Sequence, residues 1–130
     1  MILNINDKEY EVYFGIAFVR ALDEKYNSPG IGGSKFGLGL ETLVSKVYLG
    51  DAVALSDILY AGTASEKSRP TQRQIDQYID ECEDIDALFE EVINALKKQN
   101  ATRKRTLQSI EAIDNNSPEA RKNQPKPTSE

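Results

Sequence analysis

The chain has 130 residues, 39% of them apolar and 28% charged, with a net charge of −5. That is enough for one domain and a modest core, and an acidic chain repels phosphate backbones, so nucleic acid is a poor default partner. No stretch approaches the roughly 20 apolar residues that cross a bilayer, and zero histidine with a single cysteine, Cys82, rules out the usual Ser-His-Asp and Cys-His catalytic sets and a zinc finger within one chain.

Ile2 to Phe14 reads as a β-hairpin. Leu3 and Ile5 alternate with polar residues, as do Tyr10, Val12 and Phe14, and Asn6-Asp7-Lys8 carries the turn chemistry. A lone hairpin is marginal in water, so its apolar face needs a partner layer. After Gly15 the period changes. Phe18, Val19, Leu22 and Tyr26 recur at helical spacing, and Asn27-Ser28-Pro29-Gly30 ends that helix. Five glycines between Gly30 and Gly39 predict a mobile loop, with Phe36 and Leu38 as partner contacts.

Leu40, Leu43, Val44, Val47 and Tyr48 form the next helical stripe, closed by Gly50. Asp51 is placed to cap a helix with Leu55, Ile58 and Leu59 inside. Thr71 and Gln74 have the spacing of a capping box before Ile75, Tyr78, Ile79 and Cys82. A further helix begins at Asp84 or Asp86 and buries Ile85, Leu88, Phe89, Val92 and Leu96. Leu107, Ile110 and Ile113 mark one short amphipathic stretch. Beyond Ile113 no large apolar residue occurs, which predicts disorder. The expected fold is therefore α+β, mostly α: an N-terminal β-hairpin packed on about five helices, with a disordered C-terminal tail. Residues 1–100 make the folded domain, 101–113 a short amphipathic helix or linker, and 114–130 the tail.

Motifs that carry chemistry are weak. Gly30-Ile31-Gly32-Gly33-Ser34-Lys35 has serine where a P-loop needs glycine before its lysine, and it follows a helix, not a strand. Eight acidic residues lie between Ile75 and Glu91 with no Lys or Arg, but the glycine and terminal glutamate of a calcium loop are missing. Scattered carboxylates on so short a chain offer no glycosidase cleft. Cys82 reads as a small core residue. Lys97, Lys98, Arg103, Lys104 and Arg105 either stabilise a helix C-terminus or form a contact patch, for an acidic partner or for the acidic run of a second copy. Without interleaved aromatics they are a poor nucleic-acid signature. These readings imply a binding module with no cofactor and no catalytic residue.

An ordered series of pieces carries a resemblance. It comprises Leu3-Asn4-Ile5-Asn6-Asp7-Lys8-Glu9-Tyr10 leading into Phe14-Gly15, Leu22-Asp23-Glu24-Lys25-Tyr26, Gly37-Leu38-Gly39-Leu40-Glu41, and Leu49-Gly50-Asp51. It continues with Asp57-Ile58-Leu59-Tyr60-Ala61, Pro70-Thr71, Ile75-Asp76-Gln77-Tyr78-Ile79-Asp80-Glu81 and Ile85-Asp86-Ala87-Leu88-Phe89-Glu90-Glu91-Val92. Over Met1 to Arg105 the chain resembles the tail assembly chaperones of long-tailed phages infecting Gram-positive bacteria. The resemblance implies a non-enzymatic protein of the host cytoplasm that binds the tape-measure protein, keeps it soluble while the tail tube polymerises, and leaves before the tail is finished. It also implies a longer form, made by frameshifting, whose extension recruits tail-tube subunits; this sequence matches the shorter form. Such a chaperone acts in many copies, so self-association is expected, with Arg103, Lys104, Arg105, Leu107, Ile110 and Ile113 as contact residues. A structural or adaptor protein retained in the particle is the alternative. Neither nucleic acid nor membrane is an expected partner.

Overall fold

A computed structural model describes residues 1–25, 27–29, 35–37 and 39–116, with the backbone alone described for 27–29 and 35–37. The chain opens with a hairpin of β1 (Ile2–Ile5) and β2 (Lys8–Glu11), paired antiparallel with Ile5 opposite Lys8. Asn6 and Asp7 both take positive φ, 52° and 63°, as a two-residue hairpin turn demands, and Asn and Asp tolerate that region best after glycine. The ladder extends past β2, where the Val12 amide donates to the Met1 carbonyl and the Met1 amine to the Val12 carbonyl. Leu3, Ile5, Tyr10, Val12 and Phe14 are buried, as their alternation predicts.

Helix α1 (Ile16–Lys25) follows, then strands β3 (Asn27–Pro29) and β4 (Lys35–Gly37), paired antiparallel. Here the expectation of a continuous loop from Gly30 to Gly39 needs correction at residues 35–37. A three-residue strand is too short for alternation to register, and surrounding glycines read as loop. Residues 30–34 and the expected disordered tail from 117 onward lie outside the described residues.

Four helices come next: α2 (Gly39–Tyr48), α3 (Ala52–Gly62), α4 (Gln72–Asp80) and α5 (Ile85–Lys98). Their boundaries follow local chemistry. Gly50, at φ 92°, ends α2 in a Schellman arrangement, with its own amide bonded to the Val47 carbonyl and the Asp51 amide to the Lys46 carbonyl. Asp51 caps α3 through the Ala54 amide at 3.0 Å. Thr71 and Gln74 complete a reciprocal capping box on α4, and Asp84 caps α5 through the Ala87 amide. Helix α6 (Arg103–Asn115) closes the described fold and packs on α2 and α5, so the segment expected as a short helix or linker lies docked on the domain. With α6, six helices and two small antiparallel sheets stand among the described residues.

The core centres on α3. Leu55, Ile58 and Leu59 are fully buried, each burial being worth about 1.5–3 kcal/mol. Around them lie the hairpin face, Phe18 and Leu22 of α1, Leu40, Leu43, Val44 and Val47 of α2, Ile75 of α4, and Val92 and Leu96 of α5. The hairpin is pinned to the end of α3. The Tyr13 amide donates to the Gly62 carbonyl at 2.9 Å, and a Cβ at Gly62 would collide with Val12 Cγ1 and stand 3.1 Å from Phe14 Cε1. Only glycine permits that approach.

Four predicted stripes shift in the structure, the first at the end of α2, where Tyr48 is exposed. In α5 the fully lined face is Leu88, Val92, Ile93 and Leu96, while Ile85 and Phe89 are half-buried. Cys82 lies just past the end of α4 and packs half-buried against the core, because Asp80 is the last helical residue there. In α6 the buried residues are Thr106, Ser109 and Ile110, whereas Leu107 is 38% exposed. Small hydroxyl side chains let α6 approach its neighbours closely, and this rotates Leu107 outward.

Candidate interaction surface

The basic cluster does not act as one patch. Arg105 extends from the first turn of α6 to Glu41 of α2 and Asp23 of α1. Its Nη2 donates to Glu41 Oε2 at 2.6 Å while Nε takes the other oxygen. Nη1 and Nη2 reach the two Asp23 oxygens at 3.2 and 3.3 Å. A planar guanidinium fork suits two carboxylates in this way, and lysine would not. The Glu41 hydrogen bonds push the Arg105 pKa above its already high ordinary value; partial burial opposes this, and the Asp23 hydrogen bonds reinforce it. Arg103 faces outward and donates from Nη1 to the Lys97 carbonyl at 3.2 Å, meeting the last turn of α5. Lys104 and Lys98 are exposed and Lys97 is half-buried. Two of the five cations, Arg105 and Arg103, thus bond within the domain, and only Arg105 does so through carboxylates.

The remaining sequence-derived contact residues are scattered. Ile110 belongs to the core, Ile113 is half-buried, and Leu107 is exposed. Phe36 stands on β4 with its side chain outside the description, and Leu38 lies outside the described residues. At the other end of α6, the Tyr48 hydroxyl donates to Asp114 Oδ1 at 2.7 Å. That hydrogen bond is the main reason the Tyr48 pKa is raised, with some desolvation and the Asp114 charge adding to it.

Elsewhere, polar side chains tie helices to each other. Ser56 of α3 donates to the Asp76 carboxylate of α4 and accepts from Gln72 Nε2 at 2.7 Å. This serine–carboxylate pair has no imidazole beside it, and its geometry is that of an interhelical tie at the floor of an open cleft of about 320 Å³. Arg69 closes the end of α3. It stacks 4.1 Å from the Tyr60 ring centre and donates to the Tyr60 carbonyl and to Thr63 Oγ1. Between α4 and α5, Tyr78 is half-buried among Cys82, Leu88 and Glu91; burial first, then the charges at Cys82 and Glu91, raises its pKa. Among the described residues no cluster of His, Cys, Asp or Glu is arranged to hold a metal ion, and no helix is long and apolar enough to cross a membrane.

Among the described residues, Ile2, Tyr48 and Leu107 are exposed singly, while four other exposed apolar residues fall in two places to which the sequence assigned no contact. Tyr13 and Ile16 line a cleft of about 370 Å³ with Gly15, Gln99, Asn100 and Ala101, where the start of α1 meets the α5–α6 turn. Leu49 and Val53, 71% and 73% exposed, stand four residues apart on either side of the α2–α3 turn. The available signal was their phase: Val53 is apolar yet falls off the Leu55–Ile58–Leu59 stripe. These side chains present dispersive contact area without polar directionality, suited to covering apolar surface on another chain.

A family model described as "Phage tail assembly chaperone protein, TAC" matches residues 2–111, from the first strand into the last helix. Comparison with curated proteins and with solved structures gives no match.

Proposed function

The chain belongs to the phage tail assembly chaperone family, and from that premise we propose that it binds the tape-measure protein and keeps that long helical polypeptide soluble while tail-tube subunits polymerise around it. The observation that carries this reading is the match over residues 2–111, which takes in the whole of the docked domain up to α6. The family implies interaction with tail proteins. The exposed Tyr13, Ile16, Leu49 and Val53 supply apolar area for such contacts. Arg103, Lys104 and Leu107 on the outer side of α6 add a mixed basic and apolar edge.

The action is binding and release, not bond-making, in the host cytoplasm. Many copies line the partner through self-association, and a longer frameshifted form brings in the tail-tube protein. The chaperone departs before the particle is complete. Co-expression with the tape-measure protein tests the central claim: the soluble fraction of that protein should rise several-fold, and an unchanged soluble fraction would sink it. Mass spectrometry of finished particles tests the departure. A stoichiometric amount of this chain there would favour a structural protein retained in the virion.

A further inference from the structure

Helix α6 has 13 residues, yet Ile110 is its one large apolar side chain in the core. The rest of its buried contact is hydroxyl-bearing: Thr102 just before the helix, then Thr106 and Ser109. Thr106 is fully buried and its Oγ1 has no hydrogen-bond partner. Thr102 Oγ1 donates instead to the Leu96 carbonyl at 2.7 Å, so no side chain caps the start of α6. Docking this face strips water from three hydroxyls and replaces it incompletely.

What fixes α6 in place is polar and partly exposed. Arg105 on Glu41 and Asp23 is about one quarter exposed, and Tyr48 meets Asp114 at the surface. α6 packs on α2 and α5, two helices whose Leu43, Val44, Val47, Val92 and Leu96 bury in the core. A helix with little apolar grip thus rests on two helices with apolar faces, fastened by one ion-pair cluster that salt weakens and one surface hydrogen bond.

The geometry points to α6 as a displaceable cover: it undocks as a unit while the hairpin and α1–α5 stay folded, and the groove it leaves on α2 and α5 receives an amphipathic helix of another polypeptide. The present occupant defines the kind of ligand. It is a helix with small or apolar residues at i, i+4, i+7 and i+8, the positions of Thr102, Thr106, Ser109 and Ile110, and an arginine beside them to reach Glu41. The source of that helix rests on the function proposed above; the undocking itself does not.

Hydrogen–deuterium exchange on the full chain tests the release. In the wild type, α6 amides should exchange roughly 100-fold faster than those of α5. Raising salt to about 1 M should speed α6 and leave α5 unchanged. Arg105→Ala should speed α6 a further ~10-fold, with α5 still protected. Equal protection of the two helices, or no response of α6 to salt, overturns the proposal. If Arg105→Ala unfolds the whole domain, the wild-type salt series still decides.

The groove is tested in trans with a fluorescein-labelled synthetic peptide of residues 101–116. The Arg105→Ala chain should bind it, the wild type should not, and adding Glu41→Gln should abolish uptake. An Arg105→Ala chain that stays folded and takes up no peptide overturns the open groove. Release and uptake as expected, with no effect of this chain on tape-measure solubility, would strike the proposed function alone.

Discussion

Helices α3 and α6 have 11 and 13 residues and both lie against α2, but they are held by opposite means. α3 is surrounded: its leucines and isoleucine are fully buried, its start is capped by Asp51, and its end is fastened by Arg69 and by the hairpin at Gly62. α6 lies on one side of the domain with hydroxyls inward and charges at its rim. Dispersion and apolar burial dominate at α3, whereas ion pairs and a phenol–carboxylate bond carry a larger share of the hold on α6 and make it the more responsive to salt and pH. The difference locates the stable part of the molecule and the adjustable part within one domain.

Truncating the core of α3 should have the strongest consequence. Leu55→Ala should lower stability by about 2–5 kcal/mol, because the enclosed site cannot collapse around the missing atoms. Urea unfolding checks it, and a loss below about 1 kcal/mol would mean that α3 is not the enclosed element described above. Gly62→Ala should cost about 1–3 kcal/mol by overpacking against Val12 and Phe14. Alanine is the better helix former by roughly 1 kcal/mol, so a stabilised variant would show that the hairpin can move aside.

At α6 the sign reverses. Thr106→Val keeps the side-chain shape and removes the orphan buried hydroxyl, so it should stabilise the protein by about 1 kcal/mol and slow exchange of α6. A destabilised Thr106→Val would mean that the hydroxyl has a partner after all. The smallest effect belongs to Tyr48. Its pKa is raised in the folded state, so the contribution of its hydrogen bond is fully present below the ordinary value of 10.0 and is lost as pH rises through the raised one. The melting-temperature gap between wild type and Tyr48→Phe should therefore be present at neutral pH and close above about pH 10. A gap that persists in strong alkali would remove Asp114 from the account.

What could be read from residues alone follows the range of each signal. Asp51, Thr71 and Asp84 cap helices by contacts three residues away; the first two were legible as caps, while the start of α5 was open between Asp84 and Asp86 because either aspartate suits that position. The hairpin was legible because alternation and the Asn6-Asp7 turn agree. The face of α6 was not. Periodicity weights Leu107 above Thr106 and Ser109, while close packing on α2 favours the small side chains. Nor could the Arg105 site be read, since its partners stand 64 and 82 positions away in the chain and nothing local distinguishes Arg105 from Lys104. The exposed Ile16, Leu49 and Val53 needed the core stripes to be placed before their phase meant anything.

The bond between Tyr13 and Gly62 has a consequence for biosynthesis. The hairpin is translated before the helix end that shelters Val12 and Phe14, which is made almost fifty codons later. At ribosomal speeds of 5–20 residues per second, the apolar face of the hairpin waits roughly 2–10 s for that partner to be made. High-level expression at elevated temperature should thus lose material to inclusion bodies before the native state is ever reached, whatever the finished domain's melting point.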